Sequence, residues 1–138
     1  MSTVKELIRT ESDGTISFGD YTLDTKTKKS DFEYEGDLYK VKTFREITRL
    51  EKNETFVYES EPGTAVHSLV ETAEGVSFMV EGPEDAQITA QVAAETEYDI
   101  LIDGVKKDTG RSNLGGKISF SVELGEGRSA EVRLVRRA

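Results

Sequence analysis

The feature that most constrains this chain is a strict alternation of apolar and polar residues, interrupted at short intervals by glycine and acidic turn residues. The alternation runs unbroken over residues 116–124 and recurs over 76–80, 98–102 and 130–135. A period of two places successive side chains on opposite faces of a strand, so each run predicts a strand with one buried face. The chain is therefore predicted to be all-β.

Turn residues separate these runs. Glycine, asparagine and aspartate adopt the positive φ angles that tight hairpins need, and such residues stand at 74–75, 82–85, 103–104, 115–116 and 125–127. From residue 64 onward, the pattern predicts seven antiparallel strands. They lie near 64–71, 75–81, 86–92, 97–102, 105–109, 117–124 and 129–136. Seven short strands with this spacing are typical of a fibronectin-like or immunoglobulin-like β-sandwich.

The first 60 residues are richer in aromatic side chains and predict a set of β-hairpins. Eight of the eleven Phe and Tyr residues lie there. Hairpins are predicted over 15–23, 32–41 and 47–58, and the lysine-rich stretch 25–30 is predicted to be an exposed loop because it holds no apolar residue. Proline and glycine then interrupt the pattern, so we expect an aromatic-rich hairpin region, 1–60, and a fibronectin-like β-sandwich, 61–138.

The stretch from Val92 to Ile100 is a second indication of that fold. It reads V-x-A-x-T-x-Y-x-I and resembles the L-x-P-x-T-x-Y-x-V pattern of fibronectin type III domains and related bacterial sandwiches, with valine in place of leucine and alanine in place of proline. The resemblance implies a tyrosine corner, in which the hydroxyl of Tyr98 bonds to backbone between residues 91 and 96. The chain has no tryptophan, and Phe78 is expected to fill the volume of the family's early tryptophan.

Composition excludes several classes of site and partner. The chain has no cysteine, so disulfides, thiolate zinc sites, iron–sulfur clusters and cysteine nucleophiles are excluded. Its single histidine, His67, excludes multi-histidine metal centres. A net charge of −9 disfavours nucleic acid and anionic membranes as partners. We therefore expect no cofactor and no tightly bound metal, and the lack of a signal-peptide pattern leads us to expect a cytoplasmic protein.

Three motifs approach known sites, and each has a simpler interpretation. His67 is the only imidazole for acid–base chemistry, but no nucleophile elbow accompanies it, so an ordinary strand histidine is predicted. Residues 125–130 match the letters of the G-x-G-x-x-A dinucleotide fingerprint but precede a predicted strand, so a turn is predicted. Residues 9–20 resemble an EF-hand loop in spacing, but Arg9 stands where the first Ca²⁺ ligand is required, so an Asp13-Gly14 hairpin turn is predicted.

Charge is distributed unevenly along the chain. Residues 53–105 hold 12 acidic and no basic side chains, whereas residues 106–138 hold 8 basic and 4 acidic ones. The terminal arginines of one copy are predicted to approach the acidic stretch of another, which predicts a homo-oligomer. The alternative is that the two stretches neutralise each other within one sandwich. The candidate interaction surface contains two tyrosines and three arginines: Tyr34, Tyr39, Arg133, Arg136 and Arg137.

Two functions from different classes follow. The first is a non-enzymatic binding or assembly module that acts through its sandwich surfaces, with a second copy, another protein or a glycan as the partner. The second is a small glycan-active hydrolase, because the whole chain resembles short bacterial proteins of which some carry an endosialidase label. Sialidases have a cluster of arginines around the substrate carboxylate. In this chain, the C-terminal arginines are predicted to lie on or beside one terminal strand. No catalytic residue is assigned.

Overall fold

The structure, a computed structural model, describes residues 3–125 and 128–137 and is all-β, as predicted. Its strands form two antiparallel sheets. The thirteen strands are β1 (Ile8–Thr10), β2 (Ile16–Phe18), β3 (Thr27–Tyr34), β4 (Asp37–Phe44), β5 (Ile47–Lys52), β6 (Thr55–Glu61), β7 (Ala65–Thr72), β8 (Gly75–Glu81), β9 (Ala86–Gln91), β10 (Glu97–Ile102), β11 (Val105–Arg111), β12 (Lys117–Val122) and β13 (Ser129–Arg136). No helix long and apolar enough to cross a membrane occurs among these described residues.

Both sheets contain strands from both parts of the chain. The seven-stranded sheet has the order β1-β2-β7-β8-β13-β10-β11, and the six-stranded sheet has the order β12-β9-β6-β5-β4-β3. The chain passes from the six-stranded to the seven-stranded sheet between β6 and β7, through a cis peptide bond at Glu61-Pro62. The expected boundary between 60 and 61 falls at this passage, and the division into two domains stays a prediction.

The core lies between the sheets and contains the inward side chains that the alternation predicts. Tyr58 of β6 is at its centre, with its ring 5.2 Å from Phe18 and 5.6 Å from Phe78, both edge-to-face. Such edge-to-face contacts stabilise the fold beyond the contribution of burying the rings. Phe78 is therefore a core residue on an early strand of the predicted sandwich, where a large ring was expected.

The strand predictions after residue 63 are confirmed, since all seven strands are present with bounds within two residues of those predicted. Two of the three hairpins are also confirmed. β3 and β4 are joined by the two-residue turn Glu35-Gly36, and β5 and β6 by Asn53-Glu54, with positive φ at all four positions. This geometry fits the twist of paired strands.

Two predictions for the first 60 residues are wrong. Residues 15–23 do not form a hairpin, because β2 pairs with β1 and β7 instead. Gly19 follows β2 with φ +102, and a Cβ on it would lie 2.5 Å from the carbonyl oxygen of Thr64, so the glycine permits a close chain approach. Residues 27–30 are not a loop but the first half of β3. The first half of β3 is an exposed part of an edge strand, so it needs no apolar residues. The alternation of apolar and polar residues that would predict a strand is therefore missing there.

Candidate functional site

A polar recess with aromatic walls, a cleft of about 410 Å³, lies at one end of the sandwich, and we call it the tyrosine cleft. It lies where the β1–β2 turn, the β3–β4 hairpin and the middle of β7 meet. Its aromatic and aliphatic residues are Tyr34, Tyr39, Leu69 and Val70, and its charged residues are Asp13, Glu35, Asp37, Lys52 and Glu71.

The β3–β4 hairpin places the two tyrosines. Its turn sets Tyr34 opposite Asp37, which brings the ring of Tyr34 to 5.6 Å from that of Tyr39 at an interplanar angle of 71°. The hydroxyl of Tyr34 donates a hydrogen bond of 2.6 Å to the carbonyl oxygen of Gly14. This bond ties the hairpin to the β1–β2 turn of the other sheet. The aromatic wall of the cleft is therefore held from both sheets.

The cleft is negatively charged. Four carboxylates line it against one ammonium group, that of Lys52, whose Nζ lies 3.6 Å from Oδ2 of Asp37. Burial, followed by the charges of Glu71 and Asp37, raises the pKa of Tyr39 to about 12. Burial and the charge of Glu35 raise the pKa of Tyr34 in the same direction. Both phenols are consequently neutral at physiological pH, and their rings keep the negative π faces that attract cations.

The structure brings together Tyr34 and Tyr39 but leaves the three arginines elsewhere. Arg133 and Arg136 lie on β13, an interior strand of the seven-stranded sheet between β8 and β10. Arg137 follows β13, with its guanidinium 3.5 Å from Asp99 and 3.9 Å from Glu97. The five residues of the predicted surface therefore occupy at least two separate places, because sequence proximity to the chain end does not report which strand pairs with which.

The charged stretches of the chain are neighbours within one molecule. Lys106 Nζ lies 3.4 Å from Asp99 Oδ1, and Asp99 also binds Arg137. Basic side chains from 106–138 thus meet acidic ones from 53–105 inside the same sheet. This is the arrangement of the neutralisation alternative, while the oligomeric state stays a prediction.

Tyr98 makes the contact that its pattern predicted. Its side chain is buried, and its hydroxyl accepts a hydrogen bond of 3.0 Å from the backbone N–H of Ala93, within the predicted range 91–96. The hydroxyl of Ser112 donates to the carbonyl of Ala93 at 2.5 Å. The loop before β10 is therefore fixed at one residue by two side chains from separate places in the chain.

The EF-hand-like stretch holds its carboxylates apart. Glu11 accepts hydrogen bonds from Arg9 Nε at 3.0 Å and Ser17 Oγ at 2.5 Å, whereas Asp13 accepts from Thr15. Asp20 accepts from the backbone N–H of Thr22. The Asp13-Gly14 turn joins β1 to β2 as predicted. Across residues 3–125 and 128–137, no three His, Asp or Glu side chains are grouped as metal ligands would be.

The two remaining motifs give no catalytic arrangement. His67 is buried on β7, with Nε2 3.9 Å from Oε1 of Glu81. In the fingerprint-like stretch 125–130, Glu126 and Gly127 lie outside the described residues, and β13 begins at Ser129.

Sequence reasoning missed the β7 side of the cleft. The pairing register of β7 with β8 shifts between His67 and Val70, where Ser68 has φ +57. The alternation of β7 therefore changes phase before Leu69, Val70 and Glu71. No sequence signal marks this bulge, since neither glycine nor proline stands there. It also missed four lysines on β3, β4 and the residue before β3, which are described below.

Comparison with known proteins found no matching family model, no matching curated protein and no matching solved structure.

Proposed function

We propose that this protein is a non-enzymatic binding module, that the tyrosine cleft is its binding site, and that the cleft takes a cationic side chain of a partner protein. The observation that carries the proposal is the half-buried ring of Tyr34, packed on the buried ring of Tyr39, in a recess with four carboxylates and one lysine. Aromatic faces attract ammonium and guanidinium groups, and carboxylates at the rim add a Coulombic attraction that guides the approach.

The remaining cleft residues suit a lysine or arginine side chain better than a small ion. Leu69 and Val70 provide an apolar wall against which the methylene groups of a long cationic side chain pack while its charged end meets the carboxylates. The volume of about 410 Å³ is in the range of a small-ligand pocket and accepts one or two side chains. A partner with two neighbouring basic residues fits best.

The fibronectin type III-like assignment belongs to this proposal too. What supports it is the bond between Tyr98 and Ala93, together with the seven strands after residue 63. Proteins with such sandwiches commonly bind through loops and strand faces, which agrees with a cleft formed by two turns and a strand.

Glycan hydrolysis, the alternative, has less support. An arginine cluster on the substrate carboxylate would be needed beside the tyrosines, and the described residues that line the cleft include no arginine. A sugar ring would still stack on tyrosine, so a neutral disaccharide is a useful control ligand in the experiment below.

The test is a titration followed by two-dimensional ¹⁵N NMR, with blocked tetralysine as the probe and blocked tetraglutamate and lactose as controls. We expect tetralysine to shift the amide signals of residues 13–15, 34–39 and 69–71. Tyr34→Leu should weaken binding by about 2- to 30-fold, the equivalent of one cation–π contact, whereas Tyr34→Phe keeps the ring and most of the affinity. Shifts caused equally by tetraglutamate, or binding that survives Tyr34→Leu unchanged, would overturn the proposal.

A further inference from the structure

Four lysines form a basic surface on the outer face of the six-stranded sheet, at its β3 edge. This lysine patch consists of Lys26, Lys28, Lys40 and Lys42. Lys28 on β3 lies directly opposite Lys42 on β4 in the strand register. On its other side Lys42 is opposite Arg49 of β5. Three cations therefore stand in one row across three neighbouring strands of a chain whose net charge is −9.

This row is unfavourable for folding. Like charges directly opposite on neighbouring strands destabilise a sheet. Burial lowers the pKa of Lys42, and the neighbouring positive charges of Lys28, Lys26 and Lys40 lower it further, while the carboxylate of Glu51 offsets part of this effect. The chain has 27 acidic residues available to relieve the repulsion. An arrangement that works against stability in this way is expected where a surface serves binding.

Acidic neighbours form ion pairs with the arginine of the row, whereas the lysines form none among the described residues. Arg49 Nε lies 3.5 Å from Glu59 and 3.9 Å from Glu51. Among the described residues, no ion pair includes any member of the lysine patch. Lys26 Nζ lies 6.0 Å from the centre of the Phe44 ring, which does not neutralise its charge. Lys26, Lys28 and Lys42 therefore present positive charges outside the ion pairs of the described residues, while Lys40 stands opposite Glu51.

Protection of the sheet edge does not explain the patch. Lysine on an edge strand discourages accidental pairing with other strands, which accounts for Lys28. Lys40 and Lys42, however, lie on β4, an interior strand between β3 and β5. Their charges face outward beside the edge, where they are able to attract a partner toward β3.

We propose that the lysine patch binds an acidic, extended polypeptide segment, which pairs with the open edge of β3 as an additional strand. Within residues 3–125 and 128–137, β3 pairs only with β4, and its residues Lys28 to Ser30 are exposed. Main-chain hydrogen bonds to such an edge give affinity, while alternate side chains of the added strand give specificity. Glutamates at every second position would face the lysines, since side chains of a strand alternate between faces.

A peptide fits these observations better than nucleic acid. Four lysines over two adjacent strands cover a short length, and the net charge of −9 repels a long polyanion from the rest of the surface. A short acidic strand needs only the patch and the edge. This proposal is independent of the tyrosine cleft, which takes the opposite charge.

The experiment titrates a blocked peptide of alternating valine and glutamate into ¹⁵N-labelled protein. The comparison peptides replace glutamate by lysine or the central valine by proline, and a thymidine oligonucleotide represents polyanions. We expect the Val-Glu peptide alone to bind and to shift the amide signals of residues 27–30. Lys42→Glu should weaken binding by about fivefold or more, since it replaces an attractive charge by a repulsive one. Lys106→Glu, which changes the net charge equally but lies on β11, should leave binding within about twofold.

The stability of the variant separates binding from folding. Lys42→Glu relieves the repulsion with Lys28 and Arg49, so its unfolding temperature should rise while binding falls. Equal weakening by Lys42→Glu and Lys106→Glu would mean that overall charge, not the patch, attracts the peptide. Undiminished binding of the proline peptide would exclude strand addition. Binding of the oligonucleotide without the peptide would replace the proposal by a polyanion surface.

Discussion

The hydroxyl of Tyr98 is a single atom on which the loop before β10 depends. The Tyr98 side chain is buried, and its hydroxyl accepts a hydrogen bond from the backbone N–H of Ala93 in a partly buried setting, so Tyr98→Phe removes that donor's partner. We expect a loss of about 1–3 kcal/mol in the free energy of unfolding, measured by urea denaturation. Tyr21→Phe is the matched control, since no hydrogen bond to that hydroxyl is present in the described part of the chain. A loss below about 0.3 kcal/mol at Tyr98 would contradict the prediction.

Thr64 joins the buried hydroxyl groups between the sheets. Its Oγ1 lies 2.8 Å from both the Tyr58 hydroxyl and Ser60 Oγ, and burial raises the pKa of Tyr58 well above its usual range, which keeps that phenol protonated. Thr64→Val preserves the shape but removes the shared partner, so we expect destabilisation by about 1–3 kcal/mol. Thr89→Val, which removes an exposed contact with Ser119, should change the free energy of unfolding by less than about 0.5 kcal/mol in the same assay.

At the scale of elements, Glu11 links β1 and β2 to β7. The backbone N–H of Ser68 donates to Ser17 Oγ, which in turn donates to Glu11, and Arg9 binds the same carboxylate. The hydrogen bond from Ser17, followed by that from Arg9, lowers the pKa of Glu11. A lowered pKa in the folded state stabilises the protein near neutral pH, and this stabilisation is lost as the pH falls toward the lowered value.

Glu11→Gln should therefore lose stability less steeply than the wild type between neutral pH and pH of about 3. Urea denaturation at several pH values measures the difference in slope. Glu46→Gln, at an exposed turn position, serves as the control and should follow the wild-type slope. Parallel slopes for the wild type and Glu11→Gln would show that this carboxylate does not link the strands in an acid-sensitive way.

The sequence allowed prediction of the elements that have one buried and one exposed face. The strands after residue 63 meet this condition, and β12 alternates strictly between buried and exposed positions beyond its first residue. β1 and β2 have only three residues each, too few to establish a period. β3 exposes most of its side chains, so its lysines resembled a loop. The prediction therefore failed where strands were too short to show a period or lay exposed at a sheet edge, and not because of unusual residue preferences.

The register of one hairpin brings together two of the five residues of the predicted surface, although Tyr39 is buried. Tyr34 and Tyr39 were expected at a surface, and the turn at Glu35-Gly36 brings them together. The acidic wall from Glu71 depends on a bulge in β7 and on the packing of the two sheets, neither of which is local in sequence. Contacts between distant strands follow from the whole topology, which an alternation pattern does not specify.

At the scale of the whole molecule, acidic and basic surfaces occupy different places. The tyrosine cleft carries four carboxylates at one end of the sandwich, while the lysine patch carries four ammonium groups on the outer face of one sheet. Of the arginines after residue 130, Arg137 is compensated inside the chain by Asp99 and Glu97. The lysine patch is therefore the better basic surface for contact with another copy.

This arrangement predicts a homo-oligomer in which the lysine patch of one copy meets the acidic cleft of the next, a contact for which an acidic peptide bound at the patch would compete. Such a contact is heterologous, because it joins two different surfaces. A closed ring is the assembly in which the patch and the cleft of every copy are occupied. Light scattering at tens of micromolar protein should give a mass above the monomer at low salt, and Lys42→Glu should lower it because one attractive charge becomes repulsive. Lys106→Glu changes the net charge equally and should keep the mass. A monomer at both low and high salt contradicts the prediction. An oligomer that resists salt but dissociates on Leu69→Ser indicates that apolar burial in the cleft, rather than charge, holds the copies together.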